Sequence, residues 1–213
     1  MGLLEADVDS RVLASPTPSI PRSPMLATTN ELAALVTKFV YSVTENGIDI
    51  YNEFSLQHEL GIFLRTELPG YLVQFERNVQ DFAPSKVGFT KRELDIAVFS
   101  KDRTELKYAI ELKYPRNGQH PEQMFSFCKD IAFVEELKAA GFSRTALLIF
   151  ADDHLFYRGP SEGIYGYFRA GRPITGRIEK PTGTVKQHVT IKGSYVVSWS
   201  EVSVKTRYAF VEV

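Results

Sequence analysis

The sequence predicts an α/β fold with a mixed central sheet, in the order helix, three strands, helix, strand, followed by extra C-terminal β-strands. Three observations predict it. Apolar residues recur at helical spacing in three stretches, Leu32 to Val43, Leu56 to Leu64 and Met124 to Leu137, the signature of helices with one buried face. Segments 71–79, 91–99 and 107–114 read as strands separated by turn-like loops such as Pro84-Ser85-Lys86-Val87-Gly88 and Lys101-Asp102-Arg103-Thr104. Thr145 to Phe150 is a continuous apolar run, as expected of a strand covered on both faces.

Each element has a local reason. The first helix starts at Asn30, a good N-cap, buries Leu32, Leu35, Val36, Phe39, Val40 and Val43, and stops at Gly47. The second runs from about Glu53 to Glu67, with Leu56, Leu60, Phe63 and Leu64 as its stripe. The third runs from about Pro121, suited to a first helical turn, to Ala140, with Gly141 as the stop. Its stripe is Met124, Phe127, Ile131, Val134 and Leu137. Cys128 lies within it and reads as a small buried hydrophobe. Leu155-Phe156-Tyr157 reads as a further strand. Val189 to Lys192, Tyr195 to Trp199 and Arg207 to Val211 alternate as short antiparallel strands, extending the sheet or forming a small β lobe.

Residues 1–27 carry repeated Pro and Ser without an apolar period and read as a flexible tail. Residues 28–213 read as one domain, with 160–213 its β-rich extension. At 213 residues, with fifteen Phe and ten Tyr, the chain can bury a real core. No apolar run reaches membrane-span length, and the N-terminus lacks a signal-peptide layout, so a cytoplasmic protein is expected. A single cysteine excludes an internal disulfide framework and a thiolate zinc site. The net charge of −1 does not announce a protein that coats nucleic acid, so any such role rests on local clustering.

The chemistry concentrates in two strand-like segments. Asp95 lies in Glu93-Leu94-Asp95-Ile96-Ala97-Val98-Phe99, and fifteen residues separate it from Glu111-Leu112-Lys113. Side chains alternate faces along a strand, so Glu111 and Lys113 share one face, opposite Ile110 and Leu112. A hairpin would bring Asp95, Glu111 and Lys113 together at a sheet edge or fork. Unpaired charge on apolar strands costs several kcal/mol, so the trio needs a reason. Read blandly, E-x-K on a strand is a solvated edge with a weak ion pair. Read functionally, hard carboxylate oxygens hold Mg2+ and a neighbouring lysine stabilises charge on a reacting phosphate.

Asp95 and Glu111-Leu112-Lys113, in this order and spacing, resemble the PD-(D/E)xK nuclease superfamily. Leu94, rather than Pro, precedes Asp95. The resemblance covers roughly residues 50–158 and implies a restriction-endonuclease-like core and a Mg2+-dependent endonuclease acting on DNA, with Mn2+ as a substitute. It implies Asp95 and Glu111 as metal ligands and Lys113 as the group assisting the water or the transition state. The helix before the sheet often supplies another acid in the superfamily. Glu59, which shares a face with Leu56, Leu60 and Phe63, is the candidate here. Glu76 and Gln119 are secondary candidates. Asp130, beside Lys129, reads as a surface charge.

Between Arg172 and Lys192 stand Arg172, Arg177, Lys180, Lys186 and Lys192 against one acid, Glu179. Gly and Pro punctuate the stretch, which reads as a loop-rich basic arm able to grip the phosphate backbone. A homodimer is expected on duplex DNA, with Tyr195, Trp199 and Tyr208 at its interface. The alternatives are a catalytically idle nuclease-fold protein that binds nucleic acid or acts as a scaffold, and an unrelated α/β protein.

Overall fold

The structure is a computed structural model, and it describes residues 1, 31–84, 88–116 and 118–213. The tail expectation for residues 1–27 and the Asn30 cap lie outside the described residues.

Two helices come first, α1 (Glu31–Glu45) and α2 (Glu53–Glu67). A capping box opens α2: the Asn52 side chain accepts from Ser55 N at 2.7 Å, and Ser55 Oγ accepts from Asn52 N at 3.1 Å. Strands β1 (Tyr71–Asn78), β2 (Glu93–Ser100) and β3 (Leu106–Lys113) form an antiparallel meander. Helix α3 (His120–Ala139) then crosses over to β4 (Arg144–Ala151), which pairs parallel to β3. After α4 (Tyr165–Arg169) come β5 (Ile174–Glu179), β6 (His188–Tyr195), β7 (Trp199–Glu201) and β8 (Arg207–Glu212). The main sheet has the order β1-β2-β3-β4-β8-β7, and β5-β6 form a separate antiparallel pair. The expected α/β class and mixed sheet are therefore present; β7 and β8 extend the main sheet while β6 pairs with β5 apart from it, and Tyr195 to Trp199 is not one strand, because 196–198 separate β6 from β7.

Alternation along the strands divides the core. Ile96, Val98, Tyr108, Ile110, Leu112, Leu148 and Phe150 pack with α1 and α2 on one face. Ala97, Phe99 and Ala109 pack with Phe133, Val134 and Leu137 of α3 on the other, while Leu147 and Ile149 meet Met124, Phe127 and Ile131. Helix α3 is buried almost all round because it runs between the sheet and the β5-β6 hairpin. Thr145 Oγ1 donates to Val134 O at 2.8 Å on the sheet side. Toward the hairpin, Glu135 accepts from Gly193 N at 2.6 Å and from the Tyr195 hydroxyl at 3.0 Å. Cys128 is buried, and burial pushes its thiol up to about 12.

Three expectations are corrected. Leu155-Phe156-Tyr157 is not a strand: His154–Phe156 is a single 3-10 turn, started by the Asp153 side chain accepting from Leu155 N at 2.9 Å. The basic stretch is not loop-rich, because most of it is the β5-β6 hairpin, whose apolar Ile174, Ile178, Val189 and Ile191 are buried. Asp130 is not a surface charge but fully buried. Tyr195, Trp199 and Tyr208 are half-buried and also have contacts within the chain: Tyr195 on Glu135, Trp199 Nε1 on Phe168 O at 2.8 Å, and Tyr208 against Phe150 at 6.0 Å between ring centroids. Among the described residues, no helix is long and apolar enough to cross a membrane.

Candidate functional site

Strands β2 and β3 part after the pair Ile96 and Ile110. The fork frees backbone groups that must find other partners. Asp95 N donates to Glu111 Oε1 at 3.3 Å, and Leu112 N donates to Asp95 Oδ2 at 2.7 Å. Gln57, reaching from α2, donates to Asp95 O at 3.0 Å and to Glu76 Oε1 at 2.6 Å. Side chains thus replace the ladder where it opens, and Asp95 and Glu111 are drawn to one point.

The odd positions of β3 face α3, which carries Glu111 and Lys113 from Ala109 toward Asp130. Glu111 and Asp130 are both fully buried. Lys91, from the segment entering β2, pairs with Glu111 Oε2 and lies 2.5 Å from Asp130 Oδ1. Lys113 Nζ donates to Leu112 O at 2.7 Å and stands 3.8 Å from Asp130 Oδ2 and 3.7 Å from Glu53 Oε2. Glu53 also accepts from Tyr114 N at 3.2 Å. Neither Asp130 oxygen receives a hydrogen bond of good geometry, so its contacts with the lysines are ionic.

Four carboxylates (Glu53, Asp95, Glu111 and Asp130) therefore meet two ammonium groups (Lys91 and Lys113). With every carboxyl ionised, two negative charges would be left over, and burial of the cluster instead favours the protonated forms of Asp95 and Glu111. Burial pushes Asp95 up to about 6, against the opposing pull of Lys113 and the Leu112 hydrogen bond. Burial also raises Glu111, reinforced by the Asp95 charge and only partly offset by Lys91. For Lys91, burial opposes the charge, but Asp130 and Glu111 overcome it and hold the group above its ordinary value. Lys91 lies against two carboxylates, whereas Glu111 has one close ammonium and two carboxylate neighbours. Lys113 is likewise raised, with Asp130 and Glu53 outweighing burial.

The sequence trio is thus brought together, while Glu59 is not part of it. Glu59 makes no hydrogen bond or ion pair with a described residue. It lies on the side of α2 away from Gln57, and the acid that α2 supplies is Glu53, in its first turn. Glu76 is exposed and adopts φ 48°, in the left-handed region, beside the fork. Gln119 takes φ 49° at the start of α3 without capping the helix through its side chain.

Lys91, Asp130, Glu53 and Gln57 were not foreseen. Asp130 had a signal, since it sits three residues after Phe127 and four before Val134, on the buried stripe. Lys91 had none, because it reaches the cluster from a loop. None of Arg172, Arg177, Lys180, Lys186 and Lys192 touches the cluster. Arg172 stacks 4.0 Å from the Tyr167 ring, Arg177 pairs with Glu179 at 2.6 Å, and Lys180 lies 3.2 Å from Glu122. Lys186 and Lys192 are exposed.

Among the described residues, no three His, Cys, Asp or Glu side chains form a ready-made metal cage. The oxygen donors of Asp95, Glu111 and Asp130 are of the hard type that a divalent cation takes. Lys91 is the counter-ion in place. Comparison with known proteins finds no matching family model, no matching curated protein and no matching solved structure.

Proposed function

We propose that the chain is a metal-dependent endonuclease of the PD-(D/E)xK type that hydrolyses phosphodiester bonds in DNA. The observation that carries this reading is the convergence of Asp95, Glu111 and Lys113 at the β2-β3 fork. The order helix, antiparallel meander, crossover helix, parallel strand supports it as well.

Asp95 and Glu111 would hold Mg2+ or Mn2+ through their carboxylates. When bound, such an ion polarises the phosphoryl oxygen and lowers the pKa of a coordinated water. Lys113 orients the attacking water or donates to the phosphate oxygen on which charge develops. Asp130 and Glu53 hold that ammonium from two sides and keep it protonated. Gln57 fixes the backbone of Asp95, and with it the direction of the carboxylate.

A second reading is a catalytically idle nuclease-fold protein that binds nucleic acid. The ammonium of Lys91, set between Glu111 and Asp130, favours it by neutralising the acids where a metal would stand. Calorimetry with Mn2+ separates the two. The nuclease reading expects binding that Asp95→Ala abolishes, whereas the idle reading expects no binding by the wild type. Action on duplex DNA calls for two active sites, and a homodimer is the simplest supply. Sedimentation of the free and DNA-bound protein tests it, with a strict monomer in both states as the contrary result.

A further inference from the structure

A cleft of about 310 Å³ opens between the turn after β1 and the segment that enters β2. Its walls include Asn78, Gln80, Phe89, Lys91 and Arg92. The volume lies at the lower end of the range for small-ligand sites, roughly 300–1,000 Å³. Two cations line it, and no described carboxylate does.

Four observations give this cleft a ligand. It lies on the α3 face of the sheet, since Val79 and Phe89 pack in the same core as Phe133 and Val134. Lys91 is a wall shared with the carboxylate cluster, because the same ammonium pairs with Glu111 and Asp130. Arg92 is exposed, and its guanidinium makes no hydrogen bond or ion pair with a described residue. Asn78 Oδ1 accepts from Gln80 N at 2.9 Å, which leaves the amide NH2 of Asn78 without an acceptor among the described residues.

A fork-shaped free guanidinium matches a phosphate. The Asn78 amide donor and an aromatic wall match the edge and face of a base. We propose that this cleft is a nucleotide subsite that holds the nucleotide next to the scissile phosphate, with Arg92 on its phosphate. The proposal rests on the nuclease reading and adds the direction in which the substrate strand leaves the site. It also places a substrate cation on the loop entering β2, rather than on the basic hairpin.

The test is fluorescence anisotropy with a fluorescein-labelled single-stranded DNA oligonucleotide in EDTA, so that cleavage plays no part. The full chain is compared with Arg92→Glu, Arg92→Ala and Arg92→Lys. Arg92→Glu is expected to weaken binding about tenfold or more, and Arg92→Ala to lower the slope of log affinity against log salt by about one. Arg92→Lys is expected to retain most of the affinity. Arg92 is exposed, so unchanged melting temperatures are expected and serve as the control. Binding by Arg92→Glu within about twofold of wild type, or no binding by the wild type itself, overturns the proposal. A protein that binds through Arg92 yet cleaves nothing in Mg2+ overturns the nuclease reading and leaves the subsite standing.

Discussion

Asp95 and Glu111 exchange the hydrogen bonds that their strands give up at the fork. Glu111 Oε1 accepts from Asp95 N, and Asp95 Oδ2 accepts from Leu112 N. Each carboxylate is thereby fixed by the other's strand before any ligand arrives. One oxygen of each is occupied by backbone, which leaves the other for Lys91 or for a cation. This reciprocity gives both carboxylates a structural role at the fork.

The first consequence concerns pH. Burial raises Asp95 to about 6 from its ordinary 3.8, so the folded state favours the protonated form. The corresponding stability is fully present below about pH 4 and is lost as pH rises through about 6. The two-unit difference is on the order of 3 kcal/mol. Glu111 is shifted in the same sense and extends the loss to higher pH. Melting temperature measured between pH 4 and 8 should fall across this window in the wild type and fall less in Asp95→Asn. Above pH 6, Asp95→Asn should be the more stable protein.

Lys113→Ala should lower the single-turnover cleavage rate by about 10²–10³, the scale of one transition-state contact. Ammonium is not a metal ligand, so Mn2+ affinity by calorimetry should change little. A parallel loss of metal affinity would contradict the role assigned to Lys113.

Asp130→Asn should act through the two lysines. Breaking a buried ion pair costs about 3–5 kcal/mol when the remaining charge is stranded. Here Lys91 keeps Glu111 and Lys113 keeps Glu53, so a smaller loss, roughly 1–2 kcal/mol, is expected. Cleavage should fall through kcat rather than KM, because Lys113 loses a positioning partner. Urea denaturation and steady-state kinetics measure the two effects, and an unchanged kcat would limit Asp130 to stability.

Glu53→Gln and Glu59→Gln separate the two acids of α2. Glu53 touches Lys113 and Tyr114 N, so Glu53→Gln should reduce the cleavage rate. Glu59 touches no member of the cluster, and Glu59→Gln should leave rate and Mn2+ affinity unchanged. The reverse outcome would restore the α2 assignment drawn from the sequence.

The sequence was informative where the physics is local. Strand alternation put Glu111 and Lys113 on one face, helical periodicity located α1, α2 and α3, and the spacing between Asp95 and Glu111 anticipated the fork. It misled where position depends on rotation about a helix axis. Glu59 looked suitable beside Leu56 and Phe63, but the start of α2 is the part that overhangs the end of β3, and that part carries Glu53. Asp130 was read from its neighbour Lys129 rather than from its spacing to Phe127 and Val134. Lys91 was not legible at all, since nothing local says that a loop lysine turns inward between two carboxylates. Strand β5 hid behind its Gly and Pro neighbours, although Ile174 and Ile178 supply a strand-like buried face, whereas the alternation at Val189 and Ile191 marked β6.

The most direct test is Mg2+-dependent cleavage of plasmid, single-stranded DNA, branched DNA and RNA by the wild type, Asp95→Ala and Glu111→Ala. The account predicts that the wild type cuts DNA in Mg2+ but not in EDTA, and that both variants stay folded and lose activity by at least about 10²–10³. Near wild-type turnover by either variant, or no cleavage of any substrate by the wild type, would contradict it.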